Sequence, residues 1–214
     1  MAEAESERLL RATQTIGLSV SSDQIKQLVA YLDLLEKWNR TYNLTAIKNR
    51  REMFNRHLVE SISIAPFLSG KSRVDVGTGA GLPGVPLAII EPNAHYVLLD
   101  SNGKKTRFLS EVKRALGLSN IDVETTRVES WRPDRYFDAV ITRAFADLGT
   151  TLERIDHLMG PQGMLFAMKT VSASKEIAEM PPNAEQVASW DVSVPGRDWP
   201  FQLQAIRRLR GEDV

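Results

Sequence analysis

A glycine-rich loop that directly follows a short apolar strand is the feature that most constrains this chain. The segment reads Val74-Asp75-Val76-Gly77-Thr78-Gly79-Ala80-Gly81-Leu82-Pro83-Gly84. Glycine is needed where the backbone takes unusual dihedral angles or approaches a ligand without an intervening Cβ. A helical pattern follows, and the N-terminus of a helix offers free N–H groups and a partial positive charge. The loop therefore predicts a strand–loop–helix unit suited to a carboxylate or phosphate.

Beyond Lys71, short apolar runs alternate with helical patterns, which is typical of an α/β fold with a parallel sheet and right-handed crossovers. The predicted strands are Arg73–Val76, Tyr96–Asp100, Ile121–Thr125, Phe137–Thr142 and Met164–Met168. The helices predicted between them are Val85–Ile90, Lys104–Leu116 and Leu148–Met159. Two extended stretches, Val187–Val194 and Phe201–Leu209, predict an antiparallel hairpin that closes one edge of the sheet.

The first 70 residues have a helical pattern instead. Apolar residues between Ile25 and Trp38 recur at spacings of three and four, and Ser21 with Gln24 forms a capping box before them. Shorter helices are predicted at Glu7–Thr15 and Glu52–Ala65. We therefore predict an N-terminal helical region at residues 1–70 that packs on a ligand-binding domain at residues 71–214.

Composition excludes several classes of protein. The 27 Lys and Arg residues balance the 27 Asp and Glu residues, so any nucleic-acid contact must come from a local patch. The absence of cysteine excludes disulfide scaffolds, thiolate zinc sites and a cysteine nucleophile. The chain lacks the roughly 20 apolar residues of a membrane span, and its first residues are acidic where a signal peptide would be basic. We expect a cytoplasmic protein without metal.

Two acidic residues narrow the choice of ligand. Asp100 ends the second predicted strand, about 20 positions beyond the glycines, the spacing at which a carboxylate binds the ribose hydroxyls of a nucleoside cofactor. Asp75 ends the first strand, where its charge suits a cation such as the ammonium of a methionyl group and would repel a pyrophosphate. The segment Gly79–Gly84 also matches the dinucleotide pattern G-x-G-x-x-G. An NAD(P)-binding oxidoreductase is therefore the alternative prediction.

The loop resembles the first motif of class I S-adenosylmethionine-dependent methyltransferases, and Phe137–Arg143 resembles their fourth-strand motif. A closer resemblance is to the ribosomal RNA small-subunit methyltransferase G family, also known as glucose-inhibited division protein B. The blocks that carry it are Asp75–Gly84, Leu98–Ser101, Lys104, Arg107–Leu109 and Thr142–Ala146, with Lys37–Asn39, Tyr42–Thr45 and Arg56–Ser61 upstream. The resemblance covers most of residues 25–170.

This resemblance implies a Rossmann-like class I fold and methyl transfer from S-adenosylmethionine to N7 of one guanine in 16S ribosomal RNA. It implies that Gly77 and Leu82 line the cofactor, that Val128 and Glu129 hold its adenine end, and that Arg143 lies at the cofactor or target site. With the loop motif, the predicted cofactor-binding residues are Asp75, Gly77, Gly79, Gly81, Leu82, Asp100, Val128, Glu129 and Arg143. Guanine N7 has a lone pair and no proton to remove, so we expect alignment of the reactants, with no general base and a positioning role for Arg143.

A basic segment with interleaved aromatic residues carries the predicted RNA contacts. Six Lys and Arg residues stand against one acid between Lys37 and His57. Cations bind phosphates and aromatic rings stack on unpaired bases, although a solvated helix face shows the same pattern. The candidate RNA-binding residues are Arg40, Asn43, Lys48, Arg50, Arg51, Arg56, His57 and Lys169.

The predicted partner is 16S ribosomal RNA or the 30S subunit, bound by a monomer that contacts no membrane. The sequence leaves two alternatives for the function. One is the oxidoreductase, and the other is a non-catalytic RNA-binding or assembly protein that has kept the fold. A further alternative concerns Arg143, which could instead form a surface ion pair with Asp147.

Overall fold

A computed structural model describes residues 2–169, 173–197 and 200–209. Seven strands in these residues form one sheet with the order β3-β2-β1-β4-β5-β7-β6. The strands are β1 (Ser72–Val76), β2 (His95–Asp100), β3 (Ile121–Thr125), β4 (Phe137–Arg143), β5 (Met159–Lys169), β6 (Ala184–Val192) and β7 (Phe201–Arg208). The pairings among β1 to β5 are parallel, whereas β7 pairs antiparallel with both β5 and β6. The strand order reverses between β1 and β4, which is where open α/β sheets bind ligands.

Helices surround this sheet and precede it in the chain. They are α1 (Ala2–Ile16), α2 (Ser22–Tyr42), α3 (Arg50–Met53), α4 (Glu60–Ile62), α5 (Gly84–Ile90), α6 (Gly103–Leu116), α7 (Leu148–Ile155) and α8 (Ser174–Ala178). A π-helical turn, Phe54–Val59, joins α3 to α4. None of the helices in the described ranges combines the length and apolar character needed to cross a bilayer.

The two faces of the sheet pack against different helices. Tyr96 and Leu98 of β2 belong to the hydrophobic cluster that includes α1, α2, α5 and α6. Val97 and Leu99, the alternate residues of the same strand, belong to the cluster that includes α7. Successive strand residues point to opposite faces, so helices cover both. This arrangement confirms the predicted fold class, including the N-terminal helices and the antiparallel C-terminal strands.

The capping box predicted at the start of α2 is present and has a second role. Ser21 Oγ accepts a hydrogen bond from the Gln24 backbone N–H, and Gln24 Oε1 accepts one from the Ser21 N–H. The Gln24 amide also donates to the carbonyls of Ile89 and Ile90 at the end of α5. The N-terminal helices are thereby tied to the glycine-loop unit, with which they share one core.

Three of the predicted helices have different boundaries in the structure. Helix α1 begins five residues earlier than predicted, at Ala2, and Glu3 and Glu5 in its first turn favour the helix dipole. The predicted helix Glu52–Ala65 runs instead from Arg50 to Ile62, because Pro66 lies inside a separate 3₁₀ turn. The predicted helix Leu148–Met159 ends at Ile155. A 3₁₀ turn, Asp156–Leu158, follows it, and Met159 then pairs with Phe137 and begins a longer β5.

Candidate functional site

A cavity of about 240 Å³ lies at the carboxyl ends of β1 and β2, beside the point where the strand order reverses. Four predicted cofactor-binding residues line it: Gly77, Asp100, Val128 and Glu129. The structure thus brings together the glycine loop, the acid after β2 and the turn after β3. The other predicted cofactor-binding residues do not line this cavity. They are Asp75, Gly79, Gly81, Leu82 and Arg143.

The three glycines of the loop are required for different physical reasons. Gly77, Gly79 and Gly81 all have positive φ, at 70°, 62° and 93°. A Cβ on Gly77 would lie 2.8 Å from the Phe145 ring, and one on Gly81 would lie 2.5 Å from Val85 Cγ2. Gly77 therefore keeps the floor of the cavity open, whereas Gly81 allows the loop to pack on the following helix. The Leu82–Pro83 peptide bond is cis.

Asp75 lies fully buried beneath this loop. Its Oδ2 accepts hydrogen bonds from Thr78 Oγ1 at 2.6 Å and from the Gly84 N–H at 2.8 Å. Its Oδ1 is buried and has no hydrogen-bond partner among the described residues. Burial raises the pKa of Asp75 to about 6, against the hydrogen bonds from Thr78 and Gly84 and the charge of Arg143. A buried carboxylate oxygen without a donor is unusual in a protein interior and fits contact with a cationic ligand.

Asp100 joins the glycine loop to the end of β2. Its Oδ2 accepts from the Gly79 N–H at 2.9 Å, and its Oδ1 accepts from the Asn102 N–H at 2.8 Å. Lys105 Nζ lies 3.4 Å from Oδ2, so a cation stands beside the carboxylate within the cavity. The acid is thus oriented by two backbone donors and remains on the cavity wall.

Eight further residues line the cavity without having been predicted as cofactor contacts, and among them are Lys105, Phe145 and Arg154. Arg154 pairs with Glu129 at 3.2 Å and lies 5.9 Å from the centre of the Phe145 ring. Lys105 follows Asp100 by little more than one helical turn, and Phe145 belongs to a motif block, so both had a signal in the sequence. Arg154 had none, because only the packing of α7 beside the turn after β3 brings it to the cavity.

Arg143 lies at the end of β4 and lines a second cavity, of about 270 Å³, with Arg56, Glu60, Lys169 and Phe201 among its neighbours. Its Nη2 contacts Glu60 Oε1 at 3.1 Å, while its Nη1 is buried without an acceptor in the part of the chain that the structure describes. Burial lowers the pKa of Arg143, and the Glu60 carboxylate opposes that effect.

The alternative ion pair of Arg143 with Asp147 is wrong. Asp147 caps α7 instead, and its Oδ1 accepts from the Thr150 N–H at 2.8 Å. Lys169, which lines the same cavity as Arg143, donates to the Ala146 carbonyl and pairs with Glu176 at 2.7 Å. Its charge is therefore already engaged by the protein.

The candidate RNA-binding cations differ in exposure and in whether an acidic residue of the protein pairs with them. Arg50 contacts Glu5, Asp33 and Glu36 at 2.7, 2.7 and 3.1 Å. Its hydrogen bonds with Glu5 and Asp33 raise its pKa. Arg50 links three helices, and its charge is therefore engaged by the protein rather than available to an RNA phosphate. The other cations are exposed: Arg40 and Arg56 form pairs with Glu36 and Glu52, whereas Lys48 and Arg51 have no ion pair among the described residues.

Asn43 and His57 have structural explanations. Asn43 ends α2 in the left-handed conformation, with φ of 50°, which asparagine tolerates better than most residues. It lines a small surface cavity with Arg40 and Lys48. His57 is buried, and its Nε2 lies 3.0 Å from Thr45 Oγ1. Burial and the charge of Arg143 lower the pKa of His57 to about 4, so its imidazole is neutral near pH 7.

Comparison with known proteins decides between the remaining alternatives. The family model for rRNA small subunit methyltransferase G, GidB, matches residues 24–197. The chain belongs to this family. Ribosomal RNA small subunit methyltransferase G of Saccharophagus degradans is 48% identical over 188 residues, which cover 88% of this chain and 84% of that protein. The protein of the same name from Nitrosococcus oceani is 47% identical over 198 residues, which cover 92% of each chain.

Solved structures agree on the fold. The mitomycin 7-O-methyltransferase MmcR superposes with a TM-score of 0.60 at 18% identity, over 86% of this chain and 67% of that one. Coclaurine N-methyltransferase, bound to N-methylheliamine and SAH, gives a TM-score of 0.55 at 12% identity, over 89% and 66%. The class I methyltransferase fold is thereby confirmed. The family match confirms the resemblance from which S-adenosylmethionine-dependent rRNA methyl transfer was predicted. The oxidoreductase alternative is therefore wrong.

Proposed function

We propose that this chain transfers the methyl group of S-adenosylmethionine to N7 of a guanine in small-subunit ribosomal RNA. The observation that carries the proposal is the unpartnered Oδ1 of Asp75, buried beneath a glycine loop at the reversal of strand order. Family membership supplies the reaction class. A substrate of this kind is met where ribosomes assemble, so we propose a cytoplasmic location.

The residues present fit this cofactor. Within residues 2–169, 173–197 and 200–209, Asp75 Oδ1 lacks a donor and Arg143 Nη1 lacks an acceptor, yet the charge of Arg143 acts on Asp75. A methionyl group carries an ammonium and a carboxylate, so it would satisfy both atoms at once. Asp100 would accept from the ribose hydroxyls, and Val128 and Glu129 would hold the adenine. The bound cofactor supplies a methyl group on a positively charged sulfur.

The remaining task of the protein is alignment. Guanine N7 attacks through its lone pair, so no side chain has to remove a proton, and positioning the two reactants supplies much of the rate enhancement. The second cavity, beside Arg143, combines the apolar side chains of Met168 and Phe201 with Arg56 and Lys169. Enzymes that modify a base take it out of its stack into such a pocket. This cavity is therefore the proposed site of the target base.

The proposed RNA surface extends from this cavity along the N-terminal helices. Arg56 lines the cavity, and Lys48 and Arg51 are exposed nearby in the sequence. Arg40 and Asn43 border the small cavity that also includes Lys48. Phosphate contacts of this kind give affinity and orientation, while the pocket selects the base.

Titration calorimetry with S-adenosylhomocysteine tests the cofactor site, with Gly77→Ala and Gly117→Ala as a matched pair. Both glycines have positive φ, but a Cβ on Gly117 meets nothing within 4 Å, whereas one on Gly77 meets Phe145. Both variants should lose about 1–2 kcal/mol of stability from backbone strain. Only Gly77→Ala should lose affinity. Equal affinities of the two variants, or no binding by the wild type, would contradict the proposed site.

Mass spectrometry of 16S ribosomal RNA from cells with and without the gene tests the reaction. We expect one guanine to lose a single methyl group in the deletion strain, and purified protein with labelled S-adenosylmethionine to restore it. Naked 16S RNA and 30S subunits are compared as substrates. Transfer to neither, with cofactor binding intact, would favour the non-catalytic assembly protein.

A further inference from the structure

Glu60 is a buried acid that connects three distant segments of the chain. Its side chain is only 4% exposed. Oε1 forms an ion pair with Arg143 Nη2 at 3.1 Å, at the end of β4. Oε2 accepts a hydrogen bond from Arg197 Nη1 at 2.7 Å, in the connection between β6 and β7. Each carboxylate oxygen therefore has its own arginine, and both guanidinium groups are held on one side chain.

Arg143 lies among charges of both signs. The Glu60 and Asp75 carboxylates and the Arg56 cation all act on it, and Arg197 shares Glu60 with it. Arg143 Nη1 is buried and has no acceptor among the described residues. Glu60 thus holds the Nη2 group of Arg143, whereas the Nη1 group is left to donate to an acceptor on a bound ligand.

The backbone alone does not orient this arginine. Ala144, the next residue, has φ of 50°, so the chain turns sharply directly after Arg143. A long arginine side chain has several rotatable bonds, and a buried carboxylate is what restricts its planar group to one orientation. Without Glu60, the guanidinium groups of Arg143 and Arg197 would repel each other in the same space.

We propose that Glu60 is a positioning residue that orients Arg143 for the cofactor and ties the β6–β7 connection to the active centre. This inference rests on the proposed function, because it assigns Arg143 Nη1 to the carboxylate of the cofactor. In this proposal Glu60 lines the pocket of the target base but does not contact the cofactor, because both of its oxygens are held by arginines. Its effect on binding therefore has to pass through Arg143, and that dependence can be measured.

The experiment compares wild type, Glu60→Gln, Arg143→Gln and the double variant by calorimetry with S-adenosylhomocysteine. We expect Glu60→Gln to weaken binding about tenfold or more, as the loss of a buried charged partner does. The double variant should bind no more weakly than Arg143→Gln alone. Additive losses would overturn the proposal, because independent effects show that Glu60 does not act through Arg143.

Glu91→Gln is the matched control for a merely structural effect. Glu91 pairs with the buried Arg73 at 2.6 Å, at the opposite end of β1 from the glycine loop. Its loss should lower stability and leave affinity for S-adenosylhomocysteine unchanged. If Glu60→Gln loses no more affinity than Glu91→Gln, the proposal is wrong.

A charge-balanced variant covers the case in which Glu60→Gln does not fold. Glu60→Gln with Arg197→Gln removes one charge of each sign, so the cluster keeps its net charge. We expect it to fold and still bind weakly, because a neutral amide holds a guanidinium less firmly than a carboxylate does. Recovery of wild-type affinity would overturn the proposal in favour of simple charge balance.

A spectroscopic measurement separates this inference from the proposed function. Nitrogen-15 NMR of the arginine side chains, with the Arg143 signal identified by its loss in Arg143→Gln, reports rotation of the guanidinium without any cofactor. Rotation should be slow in the wild type and fast in Glu60→Gln. Unchanged rotation overturns the positioning role, whereas absence of cofactor binding by a wild type with slow rotation overturns the proposed function.

Discussion

Asp75, the residue proposed to bind the ammonium of the cofactor, is held at a cost in stability. Two donors from the loop fix one of its oxygens, and the other oxygen is buried without a partner among the residues described. Burial raises its pKa from 3.8 to about 6. The ionised form needed for a cationic ligand is therefore the form that the folded protein tolerates less well. Such conflicts between stability and local structure are typical of functional sites.

Asp75→Asn should stabilise the cofactor-free protein at pH 8. The folded-state pKa of Asp75 lies above its unfolded value, so the stability it contributes is present below about pH 4 and is lost as the pH rises through about 6. Asparagine keeps the two hydrogen bonds and removes the charge. We expect a gain of up to about 3 kcal/mol at pH 8 that vanishes near pH 4.

Urea denaturation of both proteins between pH 4 and pH 8 measures this difference. Calorimetry on the same samples should show that Asp75→Asn binds S-adenosylmethionine much more weakly than the wild type at pH 8. Equal stability of the two proteins at pH 8 would contradict the destabilising charge. Equal affinity would contradict the contact with the ammonium.

At the scale of the element, the helices before the sheet hold one another through Arg50. It contacts acids on α1 and α2 from the first turn of α3. Its neighbour Arg51 is exposed and has no ion pair among the described residues. Two adjacent arginines of the same helix thus have different environments. The tertiary position, rather than the residue type, decides which of them is available to an RNA phosphate.

Arg50→Gln and Arg51→Gln should separate stability from RNA binding. We expect Arg50→Gln to lose about 1–2 kcal/mol, between the values for exposed and buried ion pairs. Arg51→Gln should change stability by less than about 0.5 kcal/mol. It should lower the slope of the logarithm of RNA affinity against the logarithm of salt concentration by about 1.

Thermal denaturation and filter binding of 16S RNA at several salt concentrations measure these two effects. The proposed RNA surface would be wrong if Arg51→Gln kept the wild-type affinity and salt dependence. A loss of RNA affinity in Arg50→Gln without a loss of stability would return Arg50 to that surface.

At the scale of the whole molecule, one hydrophobic cluster runs from the N-terminal helices into the sheet. It includes Leu9 of α1, Leu32 of α2, Leu98 of β2 and Phe201 of β7. Tyr31 of α2 also donates to the Ala80 carbonyl at 2.8 Å, directly onto the glycine loop. The helical region therefore packs against the glycine loop and also carries the proposed RNA surface.

Scanning calorimetry should show a single unfolding transition, with equal calorimetric and van 't Hoff enthalpies, because the regions share this core. S-adenosylhomocysteine at about one hundred times its dissociation constant should stabilise the whole transition by about 2.7 kcal/mol. Two transitions, of which the ligand shifts only the later one, would show that residues 1–70 unfold independently.

The sequence by itself determined the type of element at each place, because periodicity and the glycine pattern depend on neighbours close in the chain. The five parallel strands, the loop and the capping box of α2 were all predicted on that ground. Asp75, Asp100 and the family motifs also predicted which edge of the sheet binds the cofactor, and the structure places a cavity at the carboxyl ends of β1 and β2 there. Boundaries such as those at Ile155 and Ile62 were missed, since a 3₁₀ turn follows each of those helices.

Only the tertiary structure decided which charges meet. Arg143 is paired with Glu60, Arg50 is taken up by three acids, and Arg154 reaches the cavity from α7. These partners lie up to 137 residues apart, as for Glu60 and Arg197, and no local pattern encodes them. Electrostatic contacts act over a few ångströms in space, so they follow from packing, which the whole fold determines.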